Sequence, residues 1–547
     1  MPLLPLLPLL PRLAPALRRS LLSALGVACL LWGSAVQAQT LRVATAFDPN
    51  TMDPHAIALL YHSRVVTQIY DSLINRNEQF ALEPSLALSW APVDPARPST
   101  WRLQLRPGVR FHDGTVFTAD DAVFSLQRAL APSSQRAFQL QGVKAVRKLD
   151  ALGIELELDG PDAVLPEKLI YIAMMSRAWA QRHGVTLPQD FNAKQETHAV
   201  RNAMGTGPFR LERYEADARV LLRRHTDWWG ASDPAQRPRN GNVQEVQFVT
   251  IRADATRLAA LASGEVDMVL DPPYQDIQRL QRDSRIKLLQ TTDIGQQYLT
   301  FDHASTELRD SDVKGRNPFK DRRVRQAVQL AINVPLIIDK VLRGQARPTG
   351  AMLSPLVDGT QGLADRQVAH DPVRARALLA EAGYPQGFAV TLDCVNVAWR
   401  EAVCQAASAM LTQVGIRTTL RSSVSNLFFP RLTGGQISFA EFGWTPTTDA
   451  SFTLNALFHT WSRDGRGTFN AGRYSNPELD ARIDSIRHEP DVTLRRALVR
   501  NVLERVADEV VLVPLYRRTL TWAMNPKISV VQWPSDTMEL RWVRRAP

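Results

Sequence analysis

The 547-residue chain holds only three cysteines and lacks the short motifs that mark the common catalytic sites. After the first 38 residues it has no Gly-x-Ser-x-Gly nucleophile elbow, no His-Glu-x-x-His helix and no Gly-Lys pair of a phosphate-binding loop. These absences argue against the hydrolases and nucleotide-binding proteins that depend on such motifs. A secreted hydrolase stays open as an alternative. Its candidate pair, His112 and Asp113, has little support because adjacent residues on a turn seldom aim at one substrate.

No apolar run of the sequence is long enough to cross a bilayer. Leu21–Trp32 follows Arg18 and Arg19 and spans about a dozen residues, whereas a membrane helix needs ~20. A charged part, an apolar part and then Val36–Ala38, with small residues at its ends, are typical of a secretory signal. We therefore predict that residues 1–38 form a signal peptide that is cleaved on export.

The cysteines allow one disulfide and no metal site. Cys29 lies in the predicted signal, which leaves Cys394 and Cys404 as an even pair in an exported chain. A disulfide is favoured, and two buried thiols are the alternative. Closing the short loop would stabilise the fold by ~2–3 kcal/mol in the chain-entropy model. Neither cysteine has histidines or further cysteines at metal spacing, so we expect no zinc and no cofactor.

A strong excess of one charge is also missing. The formal net charge of +10 falls to +7 when Arg12, Arg18 and Arg19 leave with the signal. The remaining basic residues alternate with acids along the chain, which indicates solvated faces rather than a nucleic-acid groove. We expect no nucleic-acid partner, and the charge permits an anionic ligand without requiring one.

The most informative segment present is Trp101–Leu130. Trp101, Leu103 and Leu105 alternate with polar residues, which predicts a half-buried strand. Pro107-Gly108 and Asp113-Gly114 predict two turns, and Thr118 can cap the helix that follows. Further along, Phe388–Cys394, Arg400–Val414 and Ile416–Arg421 alternate as strand, helix and strand, which predicts a parallel βαβ unit. The fold class is therefore α/β.

Several short segments of the sequence resemble the signature of one family. LRPGVRFHDG (105–114) and FTADDAVFS (117–125) match the signature of the extracellular solute-binding proteins of the peptide and nickel type, which serve ABC importers. TMDP at 51–54, GTGP at 205–208 and WWG at 228–230 resemble other segments of that family. The resemblance covers essentially all of the mature chain. It implies a two-lobed periplasmic binding protein with mixed sheets, a two-crossing hinge and an extra subdomain in the first lobe.

The resemblance also implies the domain boundaries and the activity. We expect a first lobe of 39–290 plus 516–547, with an inserted subdomain around 85–200, and a second lobe of 291–515. The expected function is transport rather than catalysis. A periplasmic monomer would capture a short peptide or peptide-like solute between its lobes and deliver it to an inner-membrane ABC permease.

The ligand itself is less clearly indicated. In peptide-binding relatives a Gly-Trp pair ends a strand, and an Asp three residues after the Trp pairs with the ligand's α-amino group. Here Gly443 and Trp444 are followed by Thr447 at that position, and Asp449 is the nearest acid. We predict Trp444, Thr445, Thr447 and Asp449 as ligand contacts, although Trp444 would serve equally well in the core. A sugar, an opine-like conjugate or a chelated metal therefore remains an alternative ligand.

A second candidate contact lies at the start of the crossover helix. Trp399 and Arg400 follow the strand Phe388–Cys394 at the sheet edge where open α/β proteins bind ligands. Arg400 can pair with a ligand carboxylate through two parallel hydrogen bonds. A surface arginine at a helix start is the alternative. A secreted, chaperone-like peptide scavenger without a permease is a further functional alternative.

Overall fold

A computed structural model of the protein describes residues 40–193, 195–361, 363, 367–463 and 465–546. The predicted signal peptide, 1–38, lies outside these residues. Within them, no helix combines the length and apolar character needed to cross a membrane.

The strands of the described residues fall into one large sheet and three smaller ones. In chain order they are β1 (Thr40–Thr45), β2 (Ile74–Arg76), β3 (Leu82–Pro84), β4 (Ala87–Pro92), β5 (Thr100–Leu105), β6 (Val143–Lys148), β7 (Gly153–Leu158), β8 (Phe209–Glu215), β9 (Arg219–Arg224), β10 (Glu245–Thr250), β11 (Met268–Leu270), β12 (Lys287–Thr292), β13 (Gln296–Phe301), β14 (Ala346–Pro348), β15 (Phe388–Val395), β16 (Ile416–Ser423), β17 (Phe439–Trp444), β18 (Leu512–Met524), β19 (Ile528–Ser529) and β20 (Arg544–Arg545).

The α-helices of the described residues cover the sheets and connect their strands. They are α1 (Leu60–Val66), α2 (Ala119–Ala129), α3 (Leu165–Leu169), α4 (Arg177–Arg182), α5 (His198–Arg201), α6 (Trp229–Ser232), α7 (Asp254–Ser263), α8 (Ile277–Arg282), α9 (Arg322–Ala331), α10 (Val334–Lys340), α11 (Pro372–Glu381), α12 (Ala398–Gln413), α13 (Ser425–Thr433), α14 (Ala450–Phe458), α15 (Pro477–His488) and α16 (Val492–Asp508).

One mixed sheet of 12 strands runs through both lobes in the order β16-β15-β17-β13-β18-β11-β1-β10-β9-β8, with β12 and β14 also paired to β18. β1 is parallel to β10 and β11, and β15 is parallel to β16 and β17. The βαβ unit predicted from the sequence is confirmed as β15, α12 and β16. Hydrophobic clusters cover the sheet of each lobe.

β18 is the strand that joins the lobes. Its first part pairs with β13 and its last part pairs with β12 and β11. The sequence pattern predicts a strand over Val510–Tyr516, but β18 begins at Leu512 and continues to Met524 because its partners β12 and β11 extend the ladder. The second crossing is the short segment between β12 and β13. The two-crossing hinge is thus built around one continuous strand.

The signature segment lies in a separate antiparallel sheet, β4-β5-β7-β6, packed on α2. Trp101, Leu103 and Leu105 are buried and their neighbours Arg102 and Gln104 are exposed, as the alternation predicts. Thr118 and the Asp121 side chain form a capping box that starts α2. The segment is therefore scaffold of this subdomain.

His112 and Asp113 have structural contacts in this scaffold. The His112 ring nitrogen lies 3.0 Å from the Gly207 carbonyl, and Asp113 accepts a hydrogen bond from the Thr115 backbone. Burial lowers the pKa of His112 to about 3, so the ring stays neutral. His112 thus joins the signature turn to the GTGP segment, while Asp113 stabilises the turn itself.

The first helix is shorter than the sequence predicts. The periodicity predicts a helix over Ser63–Leu73, but α1 ends at Val66. The carbonyls of Gln68 and Ile69 instead accept hydrogen bonds from the backbone of Phe209 and Gly207. Pairing with a distant segment replaces the helical hydrogen bonds at this point.

Candidate ligand-binding cleft

The second lobe presents the carboxyl edge of its sheet to the space between the lobes. The parallel strands β15 and β17 end at Val395 and Trp444, and the antiparallel strand β13 begins beside them at Gln296. α12 starts directly beyond β15 and carries Trp399 and Arg400 in its first turn. Ligands of open α/β sheets bind at this edge.

Five residues form a polar surface at this edge, which we call the polar floor: Gln297, Arg400, Glu441, Gly443 and Tyr516. Tyr516, Gln297 and Gly443 lie side by side on β18, β13 and β17. A Cβ at position 443 would overlap the Gln297 amide and lie 2.8 Å from a guanidinium nitrogen of Arg400. The glycine of the Gly-Trp pair therefore makes room for two polar side chains.

Arg400 and Glu441 form an ion pair within the polar floor. The guanidinium donates to Oε2 of Glu441 over 2.8 Å, and the Glu441 side chain is fully buried while Arg400 remains 16% exposed. Burial raises the pKa of Glu441, and the Arg400 charge opposes that rise. An arginine has five N–H donors. Glu441 thus fixes Arg400 and leaves other donors for an anionic group in the cleft.

Three atoms of the polar floor are buried without a hydrogen-bond partner among the described residues. They are Oε1 of Gln297, Oε1 of Glu441 and the Tyr516 hydroxyl. Burial raises the pKa of Tyr516 well above its ordinary value, so the group stays a hydroxyl. Buried polar atoms are nearly always hydrogen-bonded in native proteins. Such atoms also occur elsewhere in the described residues, but these three adjoin Arg400 at the sheet edge, where a ligand or water in the cleft could pair with them.

Trp399 links the polar floor to the hinge and to the first lobe. Its ring lies 4.8 Å from the Arg400 guanidinium carbon and 5.6 Å from that of Arg518, which are cation–π distances. Tyr274 of the first lobe lies 6.2 Å away, ring to ring. Arg518 in turn pairs with Asp293 at 2.8 Å. The tryptophan therefore stands where the two lobes meet.

The first lobe offers an aromatic and charged wall. Phe47 stacks on Tyr61 at 5.4 Å and is 46% exposed, and both rings line a crevice of the first lobe. Arg64 pairs with Asp271 at 2.8 Å and with Asp536 at 2.6 Å. Burial, with support from the Asp271 charge, raises the pKa of Asp536 to about 6 against the pull of Arg64. Arg64 is therefore already paired with two carboxylates of the first lobe.

Trp444 is packed into the second lobe. Its indole N–H donates to Thr453 over 2.9 Å, and its ring lies 5.8 Å from Phe452 and 5.1 Å from Phe469. The side chain is 9% exposed. The core role that the sequence left open is thus present, and ligand stacking on this ring stays a prediction.

The side chains of the other predicted contacts, Thr445, Thr447 and Asp449, differ in exposure and in the hydrogen bonds they already form. Thr445 is exposed beside Gly295. Thr447 donates to the Asp449 carbonyl over 2.9 Å. Asp449 is the N-cap of α14, where its carboxylate accepts hydrogen bonds from the backbone and hydroxyl of Ser451. Burial raises the pKa of Asp449, and those hydrogen bonds oppose the rise. A ligand role for these residues stays a prediction.

Sequence reasoning missed Glu441, Gln297 and Tyr516. Glu441 was visible as a lone acid inside the apolar strand that ends at Trp444, because an unpaired buried carboxylate is costly and needs a partner. Gln297 and Tyr516 gave no such signal, since their positions depend on the pairing of β13 and β18. The structure brings them together with the predicted Arg400.

The lobes also touch away from the hinge, on the side of the inserted subdomain. Thr448 of the second lobe bonds both Arg76 and Glu167 of the first. Arg487 of the second lobe pairs with Asp159 of the first at 2.8 Å. The structure thus describes the lobes in contact on both sides of the cleft.

The disulfide predicted between Cys394 and Cys404 is present, with 6.7 Å between the two Cα atoms. It joins the end of β15 to the first turns of α12, next to Trp399 and Arg400. The two sulfurs and Glu441 are close enough together to suggest a metal site. Because the sulfurs are bonded to each other, the group offers one carboxylate and no thiolate ligand.

Sequence comparisons give one family and several relatives. The model of the bacterial extracellular solute-binding proteins, family 5 (middle), matches residues 81–465. The chain is 27% identical to the glutathione-binding protein GsiB of Shigella boydii serotype 4 over 482 residues, which cover 86% of this chain and 87% of that protein. GsiB of Escherichia coli strain K12 is 26% identical, with the same coverage.

Solved structures share the fold at lower identity. The ABC transporter-associated periplasmic binding protein DppA from Helicobacter pylori, in complex with peptide STSA, matches with a TM-score of 0.77 and 22% identity, covering 94% of this chain and 100% of that one. The binding protein AgaA from A. tumefaciens R10, in complex with agropinic acid, matches with a TM-score of 0.76 and 22% identity, covering 93% and 99%. The predicted two-lobed α/β architecture is confirmed.

Proposed function

The chain belongs to the bacterial extracellular solute-binding proteins of family 5, and we propose that it captures a short peptide or peptide-like solute for an ABC importer. The observation that carries the proposal is the polar floor. A buried ion pair holds Arg400 at the cleft, and buried acceptor and hydroxyl atoms beside it have no hydrogen-bond partner in the part of the chain that the structure describes. Such a surface suits a compact solute with carboxylate and amide groups.

Binding follows from the movement of the lobes. The solute enters between open lobes, and closure about β18 removes it from water, so its polar groups must exchange water for the polar floor. Carboxylate recognition by Arg400 strengthens as water leaves, because the effective dielectric constant falls. The closed form is then the species that the inner-membrane permease accepts.

The signal 1–38 is removed, and the mature protein is a periplasmic monomer that binds rather than catalyses, with no nucleic-acid partner. Its first lobe comprises 39–290 and 516–547, with the inserted subdomain around 85–200, and its second lobe comprises 291–515. The crossings between β12 and β13 and within β18 support these boundaries.

A non-peptide ligand is the second candidate. The structural neighbour AgaA binds agropinic acid, and Arg400 would serve an opine-like carboxylate as well as a peptide carboxylate. A sugar carries no carboxylate to pair with Arg400. A metal ion at the polar floor would find no thiolate ligand, because the sulfurs of Cys394 and Cys404 are bonded to each other. Both ligand classes therefore fit the polar floor less well than a carboxylate-bearing solute. Glutathione, named for the GsiB relatives, falls within the proposed peptide-like class.

Two measurements test the ligand class. Native mass spectrometry of protein purified from its own periplasm would identify a retained solute. A thermal-shift panel of peptides of two to five residues, glutathione, opines and sugars follows, since a ligand at 100 times its Kd adds ~2.7 kcal/mol of stability. A shift with opines or sugars and none with peptides or glutathione would overturn the peptide-like ligand.

Transport and catalysis need separate tests. Deletion of the gene should abolish saturable, ATP-dependent uptake of the identified solute. Uptake that continues unchanged would favour the scavenger alternative. Turnover of a chromogenic ester or peptide, abolished by a single substitution, would favour a hydrolase.

A further inference from the structure

A tryptophan and an arginine form an exposed site on the second lobe. Trp461 follows α14 and is 44% exposed, and the guanidinium carbon of Arg473 lies 4.6 Å from the centre of its ring. Arg473 also donates to the Thr433 carbonyl at the end of α13. A Cβ on Gly472 would overlap the carbonyl of Phe301, so the site lies by the end of β13 that is farther from the polar floor. We call Trp461, Arg473 and Thr433 the Trp-Arg site.

The guanidinium of Arg473 has no carboxylate partner in the part of the chain that the structure describes. Its Nη1 atom is buried and has no hydrogen-bond partner there. Burial lowers the pKa of Arg473, and no neighbouring acid opposes that change. A buried charge without a partner is costly, and a carboxylate supplies both the opposite charge and the acceptors that a guanidinium needs. The Trp-Arg site is therefore matched to a carboxylate from outside the chain.

The backbone holds the Trp-Arg site in one arrangement. The side-chain amide of Asn470 donates to the carbonyls of His459 and Tyr474 over 2.9 and 2.7 Å, which ties together the two ends of the chain between α14 and α15. Arg473 has a φ of 54°, in the left-handed region that a non-glycine residue seldom adopts. Such strained residues cluster at binding sites, and a site fixed in advance loses less entropy on binding.

The Trp-Arg site also lies near the boundary between the lobes. A Cβ on Gly467 would lie 2.7 Å from the backbone nitrogen of Trp461. A Cβ on Gly465, two residues earlier, would lie 2.9 Å from the side-chain amide of Gln141, which belongs to the first lobe. A partner bound to Trp461 is therefore close to a contact between the two lobes, where it can distinguish the closed form from the open form.

We propose that the Trp-Arg site docks on the ABC permease, where Arg473 pairs with a carboxylate on a periplasmic loop and Trp461 packs against an apolar side chain beside it. The inference rests on the proposed transport function and names a surface that the permease contacts. Tryptophan and arginine are the residue types enriched among the side chains that dominate the binding energy of protein interfaces. A complementary charge pair also speeds association and selects the correct partner.

The test compares transport with ligand binding for the full-length protein in a strain that lacks the chromosomal gene. Arg473→Gln and Trp461→Ala should each lower ATP-dependent uptake of the solute identified by native mass spectrometry at least about tenfold, as expected when a dominant interface side chain is lost. Titration of the purified mature variants should give a Kd for that solute within about twofold of wild type, because neither residue belongs to the polar floor. Immunoblots check that the periplasmic amounts are equal.

Arg316→Gln is the matched control and should keep wild-type uptake. Arg316 is likewise a second-lobe arginine over an aromatic ring, 4.3 Å from Tyr384, and donates to a carbonyl, that of Gly383. Unchanged uptake in Arg473→Gln and Trp461→Ala, an equal loss in Arg316→Gln, or a parallel loss of solute affinity would overturn the docking assignment while the transport function stands.

A lipid surface is the other source of an anionic partner. Flotation with vesicles of phosphatidylglycerol and phosphatidylethanolamine should show no binding that depends on Arg473. Vesicle binding that disappears in Arg473→Gln would assign the Trp-Arg site to lipid headgroups and overturn the permease contact. If the wild-type gene restored no uptake, the proposed transport function would fall as well.

Discussion

The polar floor and the segment Trp444–Asp449 lie at the same sheet edge but use their polar atoms differently. In the segment, Trp444 bonds Thr453, and Asp449 caps α14 through Ser451. In the polar floor, three buried atoms have no partner among the described residues. The position of a residue in a motif and its availability to a ligand are therefore separate properties.

Arg400→Ala should have the largest effect. Truncating one partner of a buried, hydrogen-bonded charge pair costs ~2–5 kcal/mol of binding, so we expect the Kd of the identified ligand to rise about 100-fold. The variant should also unfold more easily, because Glu441 is left buried without its cation. Arg374→Ala is the control, since Arg374 is an exposed helix arginine paired with Glu381. An unchanged Kd in Arg400→Ala would remove the polar floor from the binding site.

Gly443→Ala should weaken binding about tenfold while changing stability by less than ~1 kcal/mol. The added Cβ meets the ends of flexible side chains, Gln297 and Arg400, which can move but then leave their binding positions. Titration and thermal unfolding measure the two effects. Gly153→Ala is the matched control, because its Cβ also meets only a flexible side chain, that of Asp150. Equal loss in both variants would argue against a specific role for position 443.

Replacing Cys394 and Cys404 together by serine should weaken binding about fivefold. The disulfide fixes the start of α12, which carries Trp399 and Arg400. The unfolding free energy should fall by ~2–3 kcal/mol, as expected for a short loop. Urea unfolding and titration under oxidising conditions give both values. A loss of stability with no loss of affinity would show that the bond supports the fold alone.

Glu441→Gln should flatten the pH dependence of binding. Burial raises the pKa of Glu441 above its usual 4.5, so the carboxylate starts to gain a proton above that pH and then holds Arg400 less firmly. Wild-type affinity should fall about threefold between pH 7 and pH 5. The variant, which carries no titrating group at this position, should change less over the same range. Parallel pH profiles for the two proteins would contradict this assignment.

Asp449→Asn should have the smallest effect, with a Kd within about twofold of the wild-type value. Asparagine caps a helix about as well as aspartate, whereas Asp449→Ala should lose ~1 kcal/mol of stability. Comparing the two variants separates the effect of the carboxylate charge on binding from the effect of the helix cap on stability. A tenfold loss of affinity in Asp449→Asn would establish the ligand role that the sequence predicts for this residue.

Much of the fold could be predicted because its signals are local. The alternation in β5, the capping box of α2 and the βαβ unit around α12 all depend on residues close together in sequence. The errors arose where distant segments pair. α1 ends early because Gln68 and Ile69 bond the GTGP segment, and β18 runs on because β12 and β11 extend its ladder.

The candidate site was harder to predict for the same reason. Arg400 and the disulfide were found from their place around a predicted strand and helix. Gln297, Glu441 and Tyr516 come from three strands whose register no local pattern gives. Conversely, Asp449 looked available in the sequence, but its carboxylate accepts hydrogen bonds from the backbone and hydroxyl of Ser451, two residues later.

The continuous strand β18 bears on how this protein can be dissected. A fragment of the second lobe that ends before Leu512 would leave one edge of β13 without its neighbour. A first-lobe fragment lacking 512–524 would leave β12 without the strand it pairs with and would open the edge of β11 opposite β1. Open sheet edges of this kind promote aggregation. We therefore expect the two lobes to fold as one unit. A split-protein biosensor should be divided in a loop of the inserted subdomain, which leaves β18 and its neighbours intact, rather than at the hinge.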